Sequence, residues 1–314
     1  MLQLDDRCAA TADAAVAMQI VIVQSHGLGN QLFQYAAGRA LARRYAGSLR
    51  IACEPPTKQV ANGLPRPVLL ERFAVTAGVA EKTKVDRLLL STRPRLSAAA
   101  RIARAALRAE VIREDPPKYL FHPEIALARR TKFAYLVGYW QSHRFAIEVE
   151  RELREEFRLR MPPSGKNLAV ANQIQATRMP VSVHLRRGDY ASAFGSSVML
   201  SMDYYTQALR QMSARADACT FFVFSDDKAF ARDWARDRRN CVVVDHNDAE
   251  HLAHEDIRLM SLCRHHIIAN SSFSWWGAWL NRDPDKHVIA PATWLGYETR
   301  KTDLLPGNWQ VVNS

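Results

Sequence analysis

The residues best suited to chemistry lie in one run, Val183-His184-Leu185-Arg186-Arg187-Gly188-Asp189-Tyr190, where apolar positions give way to two guanidinium groups, a glycine and a carboxylate. A planar guanidinium pairs bidentately with phosphate oxygens and keeps its charge at any working pH. Fixed beside a departing diphosphate, it stabilises the negative charge that grows as the bond to the leaving group breaks. An exposed Arg–Asp pair by itself contributes little. Here, however, Val181 and Val183 read as a buried strand feeding the cluster directly, and that context favours anion chemistry.

Three further segments carry polar groups at the ends of apolar runs. Gly27-Leu28-Gly29-Asn30-Gln31 follows a β-branched run. Its glycines let a ligand approach the backbone, and the next helix offers its N–H groups to an anion. The same residues suit a tight strand-to-helix turn with Asn30 as helix cap. The full GxGxxG pattern of dinucleotide folds is missing, which argues against a nicotinamide enzyme. Phe221-Phe222-Val223-Phe224-Ser225-Asp226-Asp227 is again a buried strand ending in polar residues. Ser225 or Asp226 could cap a helix starting near Lys228; the Asp226 carboxylate could equally accept the N1–H and amino protons of guanine. The fourth segment runs from Glu255-Asp256-Ile257 through Ala269-Asn270-Ser271-Ser272-Phe273-Ser274 to Trp275, Trp276 and Trp279. Its Ser-rich turn opening a helix makes another anion nest, and its three tryptophans favour packing over sugar platforms. Histidines 246, 251, 254, 265 and 266 match no HExxH or Cys/His ligand spacing, so no zinc site is expected.

These motifs need elements to position them. A strand at 18–23, the glycine turn and a helix at 31–46 open an α/β unit. Residues 54–67 read as loop and 80–112 as helical with a break at Pro94. A strand is expected at 135–139 and an amphipathic helix at 145–160. The Pro/Gly segment 161–165 marks the boundary between an N-terminal α/β domain, 18–161, and a C-terminal one, 166–314. Beyond it, strands at 181–185, 220–224, 241–244, 265–269 and 288–290 alternate with helices at 203–214, 229–238 and 255–263. Alternation of this kind implies a mostly parallel sheet covered on both faces.

The chain has 314 residues, 48% hydrophobic and 24% charged, enough for two ordinary domains. A formal net charge of +11 attracts nucleic acid, acidic lipid or a phosphorylated small molecule alike. The five scattered cysteines form no disulfide framework and suit a reducing compartment. Residues 1–17 carry Asp5, Asp6 and Asp13 where a signal peptide would be basic, so we expect a disordered tail, with Met18 as the native start. No apolar run approaches the roughly 20 residues of a membrane span. A cytoplasmic location is therefore expected. The Arg-rich stretch at 101–108 reads as a solvated face that can also rest on anionic lipid at the inner membrane. Aromatics interleaved with Lys and Arg are not evident, which argues against nucleic acid.

Taken in order, GLGNQLFQYA, HLRRGDY, FVFSDD and ANSSFSWWGAWL resemble the motifs of the α1,2-fucosyltransferase family, glycosyltransferase family 11, over about residues 18–294. The basic stretch near 80–112 and the acidic tail match nothing in that pattern. The resemblance implies two Rossmann-like domains facing across a cleft (a GT-B-like fold), GDP-fucose as donor, inversion at the anomeric carbon and no metal cofactor. It implies an acceptor ending in galactose, lipid-linked or part of a lipopolysaccharide. Carried residue by residue, it places Arg186 on the β-phosphate, with Arg187 nearby and His184 beside the nucleotide. Ser271 or Ser272 would hold phosphate oxygen, Asp256 (or, second, Asp226) would read guanine, and Asn30 would line the cleft from the opposite domain. For the base that takes the acceptor proton, Asp189 is the nearest carboxylate to the clamp and His26 the first-domain candidate. Asp189 could instead serve only to orient Arg187. A transferase of another linkage or another GDP-sugar, and a non-catalytic anion binder, are the competing readings.

Overall fold

The computed structural model describes residues 18–58, 60–61, 64–114, 119–122, 125–187, 198–215 and 218–313. The expected tail and the candidate base Asp189 lie outside them. Two parallel sheets organise the chain. The first contains β1 (Gln19–Val23), β2 (Ser48–Cys53), β3 (Gly78–Glu81), β4 (Ala109–Arg113) and β5 (Phe133–Val137), in the spatial order β3-β2-β1-β5-β4. Helix α1 (Leu28–Arg44) follows β1, and α2 (Lys84–Leu89) and α3 (Ser97–Leu107) separate β3 from β4. After β5 come α4 (His143–Glu148) and α5 (Glu150–Glu156). Continuous apolar strands are what burial on both faces demands. Accordingly Ile20 and Ile22 pack with Leu32, Phe33 and Ala36 of α1, whereas Val21 and Val23 pack with Leu89, Ala109 and Tyr135 on the other face.

Helix α6 (Gly165–Ala176) opens the second half. There β6 (Pro180–Leu185), α7 (Met202–Arg215), β7 (Thr220–Ser225), α8 (Lys228–Ala235), β8 (Cys241–Val244), α9 (Ala253–Leu262), β9 (His265–Ile267), α10 (Ser272–Leu280), β10 (Val288–Pro291) and β11 (Gln310–Val312) alternate. The sheet order is β8-β7-β6-β9-β10-β11, all parallel. The α/β expectation of two Rossmann-like sheets holds. Several local expectations do not. The stretch 80–112 is helical only in its middle, because β3 and β4 complete the first sheet at either end of it. The helix expected at 145–160 is broken at Val149, a buried residue outside helical geometry.

Residues 161–164 lie between the elements of the two sheets, yet the hydrophobic interior runs across that division. Trp275, Trp276 and Trp279 of α10 share one cluster with Phe33 of α1 and Phe157. Trp275 and Trp276 lie 4.6 and 5.0 Å, centroid to centroid, from Phe33. The tryptophans are therefore packing residues, and they weld α10 to the first sheet's helix. The backbone also returns, since Asp303 O accepts from His143 N and Asp303 Oδ2 from Phe121 N.

Candidate active site

In an open parallel sheet, ligands bind at the carboxyl edge where the strand order reverses. In the second sheet the chain moves from β6 outward to β8 and then returns to lay β9 on the other side of β6. The reversal lies between the ends of β6 and β9, where His184, Arg186 and Ser271 emerge. Arg186 Nη1 stands 2.9 Å from Asp226 Oδ2 at the end of the neighbouring strand β7. Asp226 Oδ1 accepts from Arg187 N at 2.9 Å. Asp226 thus aims Arg186 and ties the backbone that follows it. The Arg187 guanidinium lies 4.0 Å over the Phe230 ring, away from that pair. The helix cap expected at Ser225 or Asp226 is Asp227, which accepts from Phe230 N at 2.9 Å; Ser225 Oγ accepts from Asp227 N.

His184 is buried, its ring 5.7 Å from Phe273 and its Nδ1 without a hydrogen-bond partner among the described residues. Burial, reinforced by Arg186, pushes its pKa down to about 3, so the imidazole is neutral at any physiological pH. Ser271 caps α10, accepting from Phe273 N, and Ser272 opens the helix. The amino end of a helix with its N–H groups and positive dipole is an anion site.

The first sheet reverses in the same way between β1 and β5. From those two ends come His26, whose Nε2 is 3.1 Å from the Tyr139 hydroxyl, and the loop carrying Gln141. His26 (φ 65°) and Trp140 (φ 56°) both hold left-handed backbone, which costs a non-glycine residue roughly 1 kcal/mol or more. Two glutamines hold the strained loop. Gln31 Nε2 donates to His26 O and Pro67 O, and Gln34 Nε2 donates to Ser25 Oγ and Gly138 O. Burial, with Arg66 nearby, lowers the His26 pKa and keeps its imidazole neutral.

The two edges meet at Asn30. Its Oδ1 accepts from Ser272 Oγ at 3.0 Å and from Gln141 Nε2 at 2.6 Å. A second bridge, Arg66 to Glu250 at 2.9 Å, lies beside it. Asn30 is not a helix cap, as its sequence position allowed. Gly27 occupies the N-cap without a side-chain bond, which leaves the Asn30 amide to span the two sheets.

Asp256 stands apart from this junction in a buried amide network. Its Oδ1 accepts from Asn247 Nδ2 at 2.8 Å, and Lys228 Nζ is 3.5 Å from its Oδ2. Burial raises its pKa from 3.8 to about 6 despite the lysine. A raised carboxylate pKa favours folding while the group is protonated, and that contribution is lost as pH climbs from about 4 through 6. Asp256→Asn is therefore expected to raise the melting temperature of the ligand-free protein at pH 7.5, by on the order of 2 kcal/mol of stability. At pH 4 the difference should vanish. Thermal melts of both proteins at the two pH values check this, and a variant less stable at pH 7.5 would refute it.

The structure thus brings together Arg186, Asp226, His184, Ser271, Ser272 and Asn30, with His26 on the facing lip. Asp256 lies in a separate buried network with Asn247 and Lys228, and the Arg187 guanidinium lies over Phe230. Sequence reasoning passed over Gln31, Gln34, Tyr139 and Gln141. For the first two a signal existed: amides three apart on an otherwise apolar helix need buried partners. Among the described residues no group of three or more His, Cys, Asp or Glu side chains is placed to share a metal ion.

Comparison with known proteins gives this geometry a family. The profile of Glycosyl transferase family 11 matches residues 125–313. An alpha-1,2-colitosyltransferase of Escherichia coli is 30% identical over 310 residues, 93% of this chain and 98% of its own length. The O-antigen biosynthesis glycosyltransferase WbnK of Escherichia coli is 41% identical over 133 residues, 41% of this chain and 43% of its own. Galactoside alpha-(1,2)-fucosyltransferase 2 of Bos taurus is 30% identical over 156 residues, 48% of this chain and 45% of its own. With the match extending over more than half of the sequence and a relative aligned along nearly all of it, the chain belongs to glycosyltransferase family 11.

Proposed function

We propose that this glycosyltransferase moves L-fucose from GDP-fucose to the 2-hydroxyl of a terminal β-galactoside, with inversion and without a required metal. The observation that carries the reading is the meeting of two like helix poles. The amino ends of α1 and α10 touch through Asn30 and Ser272, with the Arg186 cation at the adjoining strand end. So much positive potential in one place is relieved by an anion of high charge, and a nucleoside diphosphate is such a ligand. As the sugar departs through an oxocarbenium-like state, Arg186 and the serine nest hold the charge growing on the diphosphate. His184, neutral and buried, shields the site from water beside the nucleotide. Asp256 accepts from the guanine edge. The acceptor hydroxyl enters from the first-domain lip, where neutral His26 is one candidate to receive its proton. Asp189 is the alternative receiver. The names of two relatives, a galactoside alpha-(1,2)-fucosyltransferase and an O-antigen biosynthesis glycosyltransferase, support fucose as the sugar and a galactoside or O-antigen acceptor; a lipid-linked or lipopolysaccharide acceptor met at the cytoplasmic membrane surface is the setting we propose for it.

A second donor has a specific observation behind it: the relative aligned along nearly the whole chain is a colitosyltransferase. Colitose differs from fucose by lacking the 3-hydroxyl. Turnover of GDP-fucose and GDP-colitose with lactose, in EDTA, separates the two. Fucosyl-lactose from the first donor at the higher kcat/KM is the expected result. A preference for GDP-colitose would move the donor assignment while leaving the clamp intact. Absence of any GDP binding would overturn the reading and favour a non-catalytic anion binder.

A further inference from the structure

Helix α3 is built the wrong way round for a helix that faces water. Its inward contacts are few: Ala100 is buried, and Arg104, turned inward, donates Nε to Leu89 O at 2.8 Å. Its outward positions are Ala98, Ala99, Ile102, Ala105 and Ala106, all exposed, with Ile102 at 67%. Leu96 and Leu107, at the two ends of the helix, are 39% and 37% exposed. A solvated helix carries polar residues on that face; this one carries only Ser97 and Arg101.

Around the apolar face the charge is predominantly positive. Arg93, Arg95, Arg101 and Arg108 are exposed and make no ion pair among the described residues. Arg129 and Arg130, also exposed, are brought alongside because Lys132 N donates to Arg108 O at 2.8 Å. The single acid between residues 84 and 108, Asp86, is buried and paired with Arg50 at 2.6 Å. Arg108 moreover holds the left-handed position that ends the helix, φ 51°, where glycine would be free of strain. Helices α2 and α3 cover the face of the first sheet opposite α1, so the patch points away from the α1–α10 junction.

We infer that α3 and its flanking arginines form a docking surface for an anionic lipid bilayer, with Ile102, Leu96 and the outward alanines entering the headgroup boundary. Exposed apolar residues ringed by arginine, with the one neighbouring acid, Glu110, taken up by Ala128 N and the Thr131 hydroxyl, fit an anionic interface. The amino end of α3 lies towards the carboxyl edge of the first sheet, since its carboxyl end at Leu107 leads directly into the start of β4 at Ala109. Docking would therefore bring the lip carrying His26 and Tyr139 towards the membrane. That consequence rests on the acceptor reading above; the docking itself does not.

The test is co-sedimentation of the full chain with vesicles of phosphatidylglycerol and phosphatidylcholine, in the absence of any sugar nucleotide. Binding to the anionic vesicles is expected, with release at 0.5 M salt. Arg101→Ala should weaken it about fivefold and Ile102→Asp by more, while lactose turnover stays as in the wild type. Arg108→Gly relieves the strained backbone, so weaker vesicle binding at an undiminished melting temperature cannot be ascribed to unfolding. Equal binding to neutral vesicles, or anionic binding untouched by all three substitutions, would overturn the inference. So would duplex DNA binding that is sensitive to the three substitutions while vesicle binding is not. Failure of turnover with vesicle binding intact would count against the enzymatic reading alone.

Discussion

Arg186→Ala is expected to lower kcat/KM by about two to three orders of magnitude, the usual cost of removing a fixed group aimed at developing charge. The size follows from preorganisation. Asp226 holds one terminal nitrogen of the guanidinium at 2.9 Å, so little is spent on orienting the cation when donor binds. Both side chains are about one-fifth exposed, which discounts the pair as a stabiliser of the fold. The melting temperature should accordingly move by only a few degrees while GDP affinity drops. Arg186→Lys keeps a charge but loses the planar fork, and should recover part of the binding and little of the rate. Steady-state kinetics with calorimetric GDP titration distinguishes the outcomes. Turnover within threefold of the wild type would remove Arg186 from the clamp. Asp226→Asn supplies the complementary reading: the cation remains but is aimed less firmly, so kcat should fall more than GDP affinity.

What the sequence disclosed, and what it hid, divides along a physical line. Strands buried on both faces announce themselves, because 181–185, 220–224 and 241–244 are mostly apolar, with Ser182, His184 and Thr220 the exceptions, and end in polar turns. All three lie in the second sheet at nearly those limits. Arg186 and Asp226 drew attention for the same reason, following directly on the strands that end at Leu185 and Ser225. For Asn30 the residues alone offered only a cap or a loop, and its place in the cleft came from the family resemblance, because its partners Ser272 and Gln141 are 242 and 111 residues away. Edge strands β3 and β4 were absorbed into a helical reading, since β3 is largely exposed and β4 mostly half-buried, so neither shows the continuous apolar run of a central strand. The lip around His26 and Tyr139 was the least readable part. It depends on Gln31 and Gln34 pinning a strained loop, and hydrogen bonds to backbone oxygens leave no spacing rule behind.

Gly29→Ala is the substitution from which the largest structural effect is expected. A Cβ at Gly29 would sit 2.5 Å from Phe273 N and 2.6 Å from the carbonyl carbon and hydroxyl of Ser272. Two of those three neighbours are backbone at the start of α10, which the tryptophan cluster holds in place, so no side chain can swing aside. The position needs glycine for room alone, since its backbone is ordinary helix. Overpacking here should cost about 2–3 kcal/mol or be relieved by parting the amino ends of α1 and α10. Parting them lengthens the Asn30–Ser272 bond and disperses the positive potential that a diphosphate would use. Loss of stability and loss of GDP affinity should therefore arrive together. Gly27→Ala is the control, for its Cβ would meet nothing closer than Glu250 Oε1 at 3.6 Å, and both quantities should stay near those of the wild type. If Gly29→Ala melted and bound GDP as the wild type does, the close approach of the two helix ends would not be the feature that makes the anion site.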